Sequence, residues 1–212
     1  MNFSQSLKLA QKNLSEQLSV EVLEALESTK FISSKIIDRS LKIGEIIPDF
    51  VLSNQNRELI HIQRLLKKGN LVISFYRGSW CPFCSLELKA LEQALPAINS
   101  LGGTLVAISP QKFVDSTYNQ EELSFEMLVD RRNQVARKFG IVFKIPEELR
   151  IYYENIGIYL PRYNGEESFE LPIPATFIVN QDGKIHYAFV DSDYSHRLDP
   201  VEIVTILRKM AV

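Results

Sequence analysis

The feature that most constrains the fold is a short apolar run followed closely by two cysteines three positions apart. Residues 71–76 are branched or aromatic apart from Ser74, and the run is too short for a typical helix, so it predicts a buried strand. The segment Trp80-Cys81-Pro82-Phe83-Cys84 comes next, and an apolar pattern of helical spacing follows it. The sequence therefore predicts that Cys81 lies where a buried strand has ended and a helix begins.

This location changes the chemistry of the first cysteine. Free N–H groups and the positive end of the helix dipole favour a thiolate, so the pKa of Cys81 should be lowered. Pro82 suits a first helical turn because its missing N–H is not needed there. Cys84 lies one turn later on the same face, and we expect its thiol to be more buried and less acidic. The spacing thus predicts an exposed nucleophile, Cys81, and a resolving partner, Cys84, that closes an intramolecular disulfide.

Other uses of the two thiols compete with redox chemistry. Two cysteines in 212 residues are too few for a disulfide scaffold, and a staple across so short a loop would contribute only about 2 kcal/mol. A zinc ion needs two further ligands, and His61, His186 and His196 lack the usual spacing. We therefore predict a redox dithiol without metal or other cofactor, with inert buried thiols as the remaining alternative.

The rest of the chain alternates between strand and helix patterns. Strands are predicted at 105–109, 176–179 and 185–190, and helices at 133–139 and from Asp199-Pro200 to Met210. Such alternation is typical of an α/β sheet with helices on its faces. Pro96 should kink or end the helix that follows the cysteines.

Residues 1–42 differ from the remainder, and we predict an N-terminal helical arm at 1–42 and an α/β domain at 43–212. Leucines recur in the arm at roughly helical spacing among polar residues, and the chain has no glycine or proline before Gly44. Three interpretations of the arm remain open: a helical arm folded onto the body, an element that forms a homodimer, or local disorder.

Charge and hydropathy exclude two classes of partner. The net charge of −2 argues against nucleic acid, which usually requires a basic excess. No apolar run approaches 18 residues, so no membrane span is predicted. The N-terminus has neither a basic start nor a long apolar stretch, so we expect no secretory signal and a cytoplasmic protein.

Residues 75–84, together with Ile173-Pro174-Ala175-Thr176-Phe177, resemble the thioredoxin superfamily. The wider frame, from about 43 to 210, is similar to its alkyl hydroperoxide reductase/thiol-specific antioxidant branch, the peroxiredoxin-like proteins. The resemblance implies a thioredoxin-like fold with a central mixed sheet flanked by helices. It also implies that Cys81 is the attacking cysteine, that Cys84 is the resolving cysteine, and that Pro174 is the cis-proline of thioredoxins; a trans bond is the alternative.

Several positions depart from the family patterns. Gly78 stands where peroxiredoxins carry a threonine or serine that bonds the peroxide. Ser79 is one residue away and can substitute for that hydroxyl only if the loop follows a different course. A proline occupies the place of the usual late-strand arginine, which leaves Arg77 as the natural replacement guanidinium or, alternatively, a surface charge. Trp80 should shield the rim of the site. Ser74 and Phe75 stand where thioredoxins carry a buried acid, and residues 191–197 should form a polar loop that caps the last helix.

The sequence favours a thioredoxin-dependent antioxidant peroxidase that reduces hydrogen peroxide and organic hydroperoxides, with thioredoxin or another dithiol as electron donor. The first alternative is an oxidoreductase that acts on protein disulfides. The second is a non-catalytic redox sensor whose disulfide changes partner binding through the arm.

Overall fold

The structure is a computed structural model that describes residues 2–112 and 123–211. Its strands are β1 (Val51–Asn54), β2 (Leu59–His61), β3 (Asn70–Phe75), β4 (Gly103–Ser109), β5 (Glu126–Val129), β6 (Val142–Lys144), β7 (Glu170–Pro172), β8 (Ala175–Val179) and β9 (Ile185–Val190). Seven of them form one sheet in the order β2-β1-β5-β4-β3-β8-β9, and β6 pairs with β7. Because β3, β4 and β5 are parallel and the other pairs are antiparallel, the predicted mixed sheet is confirmed.

Eight α-helices accompany the strands in the described part of the chain. They are α1 (Phe3–Gln17), α2 (Val20–Ser34), α3 (Ile62–Leu66), α4 (Pro82–Ser100), α5 (Gln134–Lys138), α6 (Glu147–Asn155), α7 (Leu160–Asn164) and α8 (Pro200–Met210). Helix α4 packs against β4, α8 and α1. None of the helices in the described ranges has both the length and the apolar character needed to cross a membrane.

The core is centred on β3, whose side chains are buried on both faces of the sheet. Leu71, Val72 and Ile73 are all inaccessible to solvent. At the C-terminal end of β3, the ring of Phe139 lies 4.9 Å from that of Phe75 and 5.0 Å from that of Phe177. Such tilted ring pairs add packing energy beyond the burial of their area. The loop that carries the cysteines therefore leaves a rigid part of the molecule.

Helix α4 continues past Pro96 to Ser100, so the expectation that this proline ends the helix is wrong. An internal proline costs about 3 kcal/mol because it removes a backbone hydrogen bond. Leu95 and Ile98, on either side of it, are both buried. Burial of such side chains contributes about 1.5–3 kcal/mol each, which is enough to offset the proline.

The N-terminal arm consists of two helices that lie against the rest of the chain. Helix α2 buries Val22, Ala25 and Leu26, and it contacts α6 and β6. The Ser33 hydroxyl donates to the carbonyl of Ser192 at 3.1 Å. The arm is folded onto the body, while a role in dimerisation and the boundary at residue 42 remain predictions.

Candidate active site

Cys81 is the N-cap residue of α4, and Pro82 occupies the first turn of that helix. The loop before it is compact, since the Cys81 amide donates to the Gly78 carbonyl at 3.2 Å. A Cβ atom at Gly78 would collide with the side chains of Trp80 and Gln111. This crowding explains why no hydroxyl side chain stands at Gly78.

Both cysteines are fully buried, with 0% exposure each, and both are free thiols. The expectation of an exposed Cys81 is therefore wrong. Aromatic side chains surround the neighbouring Arg77: the ring of Trp80 lies 6.5 Å from that of Tyr153, and the Arg77 guanidinium lies 4.2 Å from the ring centre of Tyr194. These aromatic residues also line an apolar pocket, with Leu14 and Leu26 of the arm, so elements remote in sequence cover the site.

Arg77 points inward and bonds to the nucleophile. It is only 4% exposed, and its Nη2 donates to Cys81 Sγ at 3.1 Å. The surface-charge alternative is therefore wrong. Burial by itself raises the pKa of Cys81, but the hydrogen bond with Cys84 and the charges of Arg77 and Arg197 together hold that pKa well below the usual value of a thiol. Cys81 is the cysteine that ionises first.

Cys84 lies one turn into α4, and its pKa is shifted in the direction opposite to that of Cys81. Burial and the neighbouring Cys81 hold the pKa of Cys84 well above its usual value, while the nearby arginines oppose this shift. The site therefore has the asymmetry that the spacing predicts, with the more acidic thiol at the helix start and the less acidic thiol one turn below it.

A buried ion pair behind Cys84 was missed by sequence reasoning. Arg197 Nε donates to Glu87 Oε2 at 2.7 Å, and both side chains are only 2% exposed. Arg197 Nη2 reaches Cys84 Sγ at 3.4 Å. Glu87 did leave a signal, because it stands beside Leu88 and one turn from Cys84 on the apolar face of α4. Arg197 gave no such signal, because the residues around it in the sequence are mostly polar.

Residues 191–197 form a loop, but the residue that caps α8 lies just after them. Asp199 caps α8 by accepting from the Val201 amide at 2.9 Å, and Asp191 contacts His196 at 2.9 Å. The loop 191–197 also places Arg197 in the core. Within residues 2–112 and 123–211, no group of three or more histidine, cysteine or acidic side chains is placed to hold a metal ion.

Ser79 is held by a glutamine that the sequence did not single out. Gln111 Oε1 accepts from the Ser79 amide at 2.6 Å, and Gln111 Nε2 donates to the Ser79 hydroxyl at 2.8 Å. The glutamine follows the end of β4, so it ties the cysteine loop to the neighbouring strand. That Ser79 bonds a peroxide, and that Trp80 shields the rim, remain predictions.

Comparison with known proteins identifies the family. The profile of the AhpC/TSA family matches residues 43–188, which is more than half of the 212 residues. The chain belongs to the AhpC/TSA family. This AhpC/TSA protein is 25% identical over 165 residues to the peroxiredoxin Bcp of Escherichia coli, covering 76% of this chain and 93% of the relative. It is 24% identical over 169 residues to the thiol-disulfide oxidoreductase ResA of Geobacillus thermodenitrificans, covering 77% of this chain and 78% of the relative.

Solved structures share the fold of this chain at low sequence identity. A PrxQ mutant of Xylella fastidiosa superposes with a TM-score of 0.63 at 14% identity, covering 81% of this chain and 98% of that one. The peroxidoxin BcpB of Mycobacterium tuberculosis gives a TM-score of 0.61 at 19% identity, covering 80% of this chain and 98% of that one. The family match ends at residue 188, so Arg197 and the arm lie outside it.

Pro174 departs from the thioredoxin pattern within this AhpC/TSA protein. No peptide bond among the described residues is cis, so the bond between Ile173 and Pro174 is trans, contrary to the expectation. The Ile173 amide donates to the Ile141 carbonyl at 2.7 Å, which extends the β6–β7 pairing, and the trans form is intrinsically preferred by about 0.5–1 kcal/mol. Pro174 lines a small cavity with Arg77 and Tyr194.

Substitution of Glu87 by glutamine should destabilise this AhpC/TSA protein, because it leaves the buried Arg197 guanidinium without its counter-charge. We expect the free energy of unfolding, measured by urea denaturation, to fall by about 3–5 kcal/mol. The exposed pair Arg137–Glu170 provides a matched control: Glu170→Gln should cost at most about 1 kcal/mol. Equal losses of unfolding free energy in the two variants would show that Glu87 does not stabilise the fold by neutralising the charge of Arg197.

Proposed function

We propose that this protein is a thiol peroxidase that reduces hydrogen peroxide and organic hydroperoxides with Cys81 and Cys84. The observation that carries the proposal is the 3.1 Å contact between Arg77 Nη2 and the buried sulfur of Cys81 at the start of a helix. A guanidinium and free backbone N–H groups favour the thiolate and stabilise negative charge that develops on the reacting oxygens.

The reaction proceeds in two steps. The Cys81 thiolate attacks one oxygen of the hydroperoxide, so that an S–O bond forms and the O–O bond breaks. The departing alkoxide or hydroxide takes a proton from water, and Cys81 becomes a sulfenic acid. The Cys84 sulfur then attacks Cys81, an S–S bond forms, and the released hydroxide combines with the proton from Cys84 to give water. A dithiol donor such as thioredoxin returns two electrons to the disulfide.

Burial of the nucleophile favours a small substrate. The Cys81 sulfur is inaccessible, and a hydroperoxide reaches it after a smaller displacement of Trp80 and the arm than a protein disulfide needs. Re-reduction by a protein donor requires that the first turn of α4 opens after the disulfide has formed. The donor, the cytoplasmic location and a homodimer belong to this proposal as expectations.

The second candidate function is the reduction or oxidation of protein disulfides. It is favoured by the absence of a hydroxyl side chain at Gly78 and by the similarity to a protein named thiol-disulfide oxidoreductase. The two functions use the same cysteines, and they differ in which oxidised molecule meets Cys81.

Rapid mixing of the reduced protein with hydrogen peroxide or cumene hydroperoxide distinguishes these functions. We expect oxidation at least about 100-fold faster than that of a free thiol, because a free thiol is only a few per cent ionised at pH 7 and one added donor is worth about 10²–10³. A rate equal to that of free cysteine would refute the peroxidase. Rapid reduction of insulin would then support the second candidate, and a redox-dependent change of oligomeric state alone would support a sensor.

A further inference from the structure

The Arg197 guanidinium is fixed in one orientation by contacts on every nitrogen. Its Nε bonds to Glu87 at 2.7 Å, and its Nη1 donates to the carbonyls of Tyr194 and His196. Nη2 is directed at Cys84 Sγ at 3.4 Å. Because the side chain is 2% exposed, solvent does not compete for this last donor.

An ion pair that only stabilised the fold would not need this orientation. Buried pairs are often no more stabilising than apolar residues of similar size, since the two charges must be removed from water. A pair of this kind is satisfied once the arginine meets Glu87 and the backbone carbonyls. The remaining donor, on a reacting sulfur, points to a role in the chemistry of Cys84.

The charge at Cys81 changes during the proposed reaction, whereas the charge of Arg197 does not. In the reduced protein the Cys81 thiolate is a neighbouring negative charge that keeps Cys84 protonated. Oxidation converts Cys81 into a neutral sulfenic acid. The like charge is then gone, and Arg197 remains 3.4 Å from the sulfur that must next become nucleophilic.

We propose that Arg197 is a catalytic residue of the resolving step, where it stabilises the thiolate that forms on Cys84 after Cys81 has been oxidised. Arg77 donates a hydrogen bond to the sulfur of Cys81, and Arg197 donates one to the sulfur of Cys84. In this step the Cys84 thiol loses its proton, its sulfur bonds to Cys81, and the S–O bond breaks. The hydroxide leaves and takes up the proton that Cys84 has lost, so one thiol and one sulfenic acid give one disulfide and water. The inference rests on the proposed function for the formation of the sulfenic acid. The effect of Arg197 on the reactivity of Cys84 does not depend on that function.

Two variants separate this role from a structural one. Arg197→Met combined with Glu87→Gln removes both charges together, so that no buried charge is left unpaired, and Arg197→Lys keeps the charge without the fork of donors. The matched control, Arg137→Met combined with Glu170→Gln, removes an arginine–glutamate pair away from the cysteines. Urea unfolding of each variant checks that the fold is retained.

The two steps are measured separately after one equivalent of hydrogen peroxide. Mass spectrometry with a sulfenic-acid trap follows oxidation of Cys81, and loss of the trappable species follows closure of the disulfide. We expect closure to slow at least about 10-fold more than oxidation in the neutral double variant, since one pKa unit corresponds to a factor of 10. Oxidation should slow as well, because Arg197 is among the charges that lower the pKa of Cys81. Closure in that variant should also become steeply dependent on pH, rising with the ionisation of Cys84. The lysine variant should lie between it and the wild type, and the control should match the wild type.

A second assay does not depend on peroxide. The folded, reduced protein is mixed with a small excess of dithiobis(nitrobenzoate): the Cys81 thiolate displaces one thionitrobenzoate, and Cys84 then displaces the second from Cys81 in a phase whose rate does not depend on the reagent concentration. The Cys84→Ser variant, which releases only the first equivalent in this way, identifies the two phases by absorbance. Slower release in the double variant supports the inference even if the wild type proves unreactive with peroxides, which would refute only the proposed function. Equal release, equal closure, or equal slowing of oxidation and closure would overturn the role of Arg197.

Discussion

Replacement of Cys81 by serine should reduce hydroperoxide consumption to the background rate. A serine hydroxyl is not ionised at neutral pH, and the contact with Arg77 is too weak to replace the intrinsic nucleophilicity of a thiolate. The measurement is peroxide consumption by the reduced protein with dithiothreitol as a small dithiol donor. Substantial turnover by the Cys81→Ser variant would show that Cys81 is not the attacking residue.

The Cys84→Ser variant is the matched control for this experiment, because it changes the other buried sulfur in the same way. In the absence of a donor it should reduce one equivalent of hydroperoxide and stop at the sulfenic acid of Cys81, with no intramolecular disulfide detectable by mass spectrometry. A thiol donor can restore turnover of this variant only by attacking Cys81 itself, which forms a disulfide bond between the donor and the protein. Steady turnover of Cys84→Ser at the wild-type rate, with a protein donor such as thioredoxin, would contradict its resolving role.

Replacement of Arg77 by methionine should slow oxidation of Cys81 by about 100-fold at pH 7, the usual effect of removing one donor that faces the reacting atoms. The variant loses the 3.1 Å contact to Sγ, and the pKa of Cys81 should rise, because Arg77 is among the groups that hold it low. Arg77→Lys, which keeps the charge but not the planar fork, should lie between the variant and the wild type.

The pH profile tests the same prediction independently of the absolute rate. A thiol reacts as its thiolate, so reactivity falls as the pH drops below the pKa. Because the pKa of Cys81 is lowered, the wild-type rate should stay flat to a lower pH than the rate of Arg77→Met, which should fall about tenfold for each pH unit below its raised pKa. Parallel profiles for the two proteins would show that Arg77 does not control ionisation.

The local part of the site follows from the sequence because its pieces are consecutive in the chain. The strand at 70–75, the loop and helix α4 are formed by neighbouring residues, so the position of Cys81 at the helix start could be predicted. The mixed sheet follows from the strand patterns and the family resemblance. Gly78 could be recognised as a departure, but its reason, the contact with Gln111, involves a residue 33 positions away.

The remaining parts depend on contacts between distant segments. Burial of Cys81 could not be predicted, because Leu14, Leu26 and Tyr153 contribute to the cover from separate helices. Arg197 lies 113 positions after Cys84, in a loop with no local signal of burial. The pairing of Ile173 with Ile141, just before Pro174, joins segments more than 30 residues apart. In each case, tertiary packing supplies information that neither spacing nor composition contains.

The environment of Trp80 has a practical consequence. It is the only tryptophan of the chain, and its ring lies 5.1 Å from the Arg77 guanidinium that bonds to Cys81. Indole emission from this protein therefore originates beside the dithiol and nowhere else. A change of charge on the sulfur, or a displacement of the guanidinium, alters the electric field at the fluorophore. The molecule thus contains an optical reporter of its own candidate active site that requires no label.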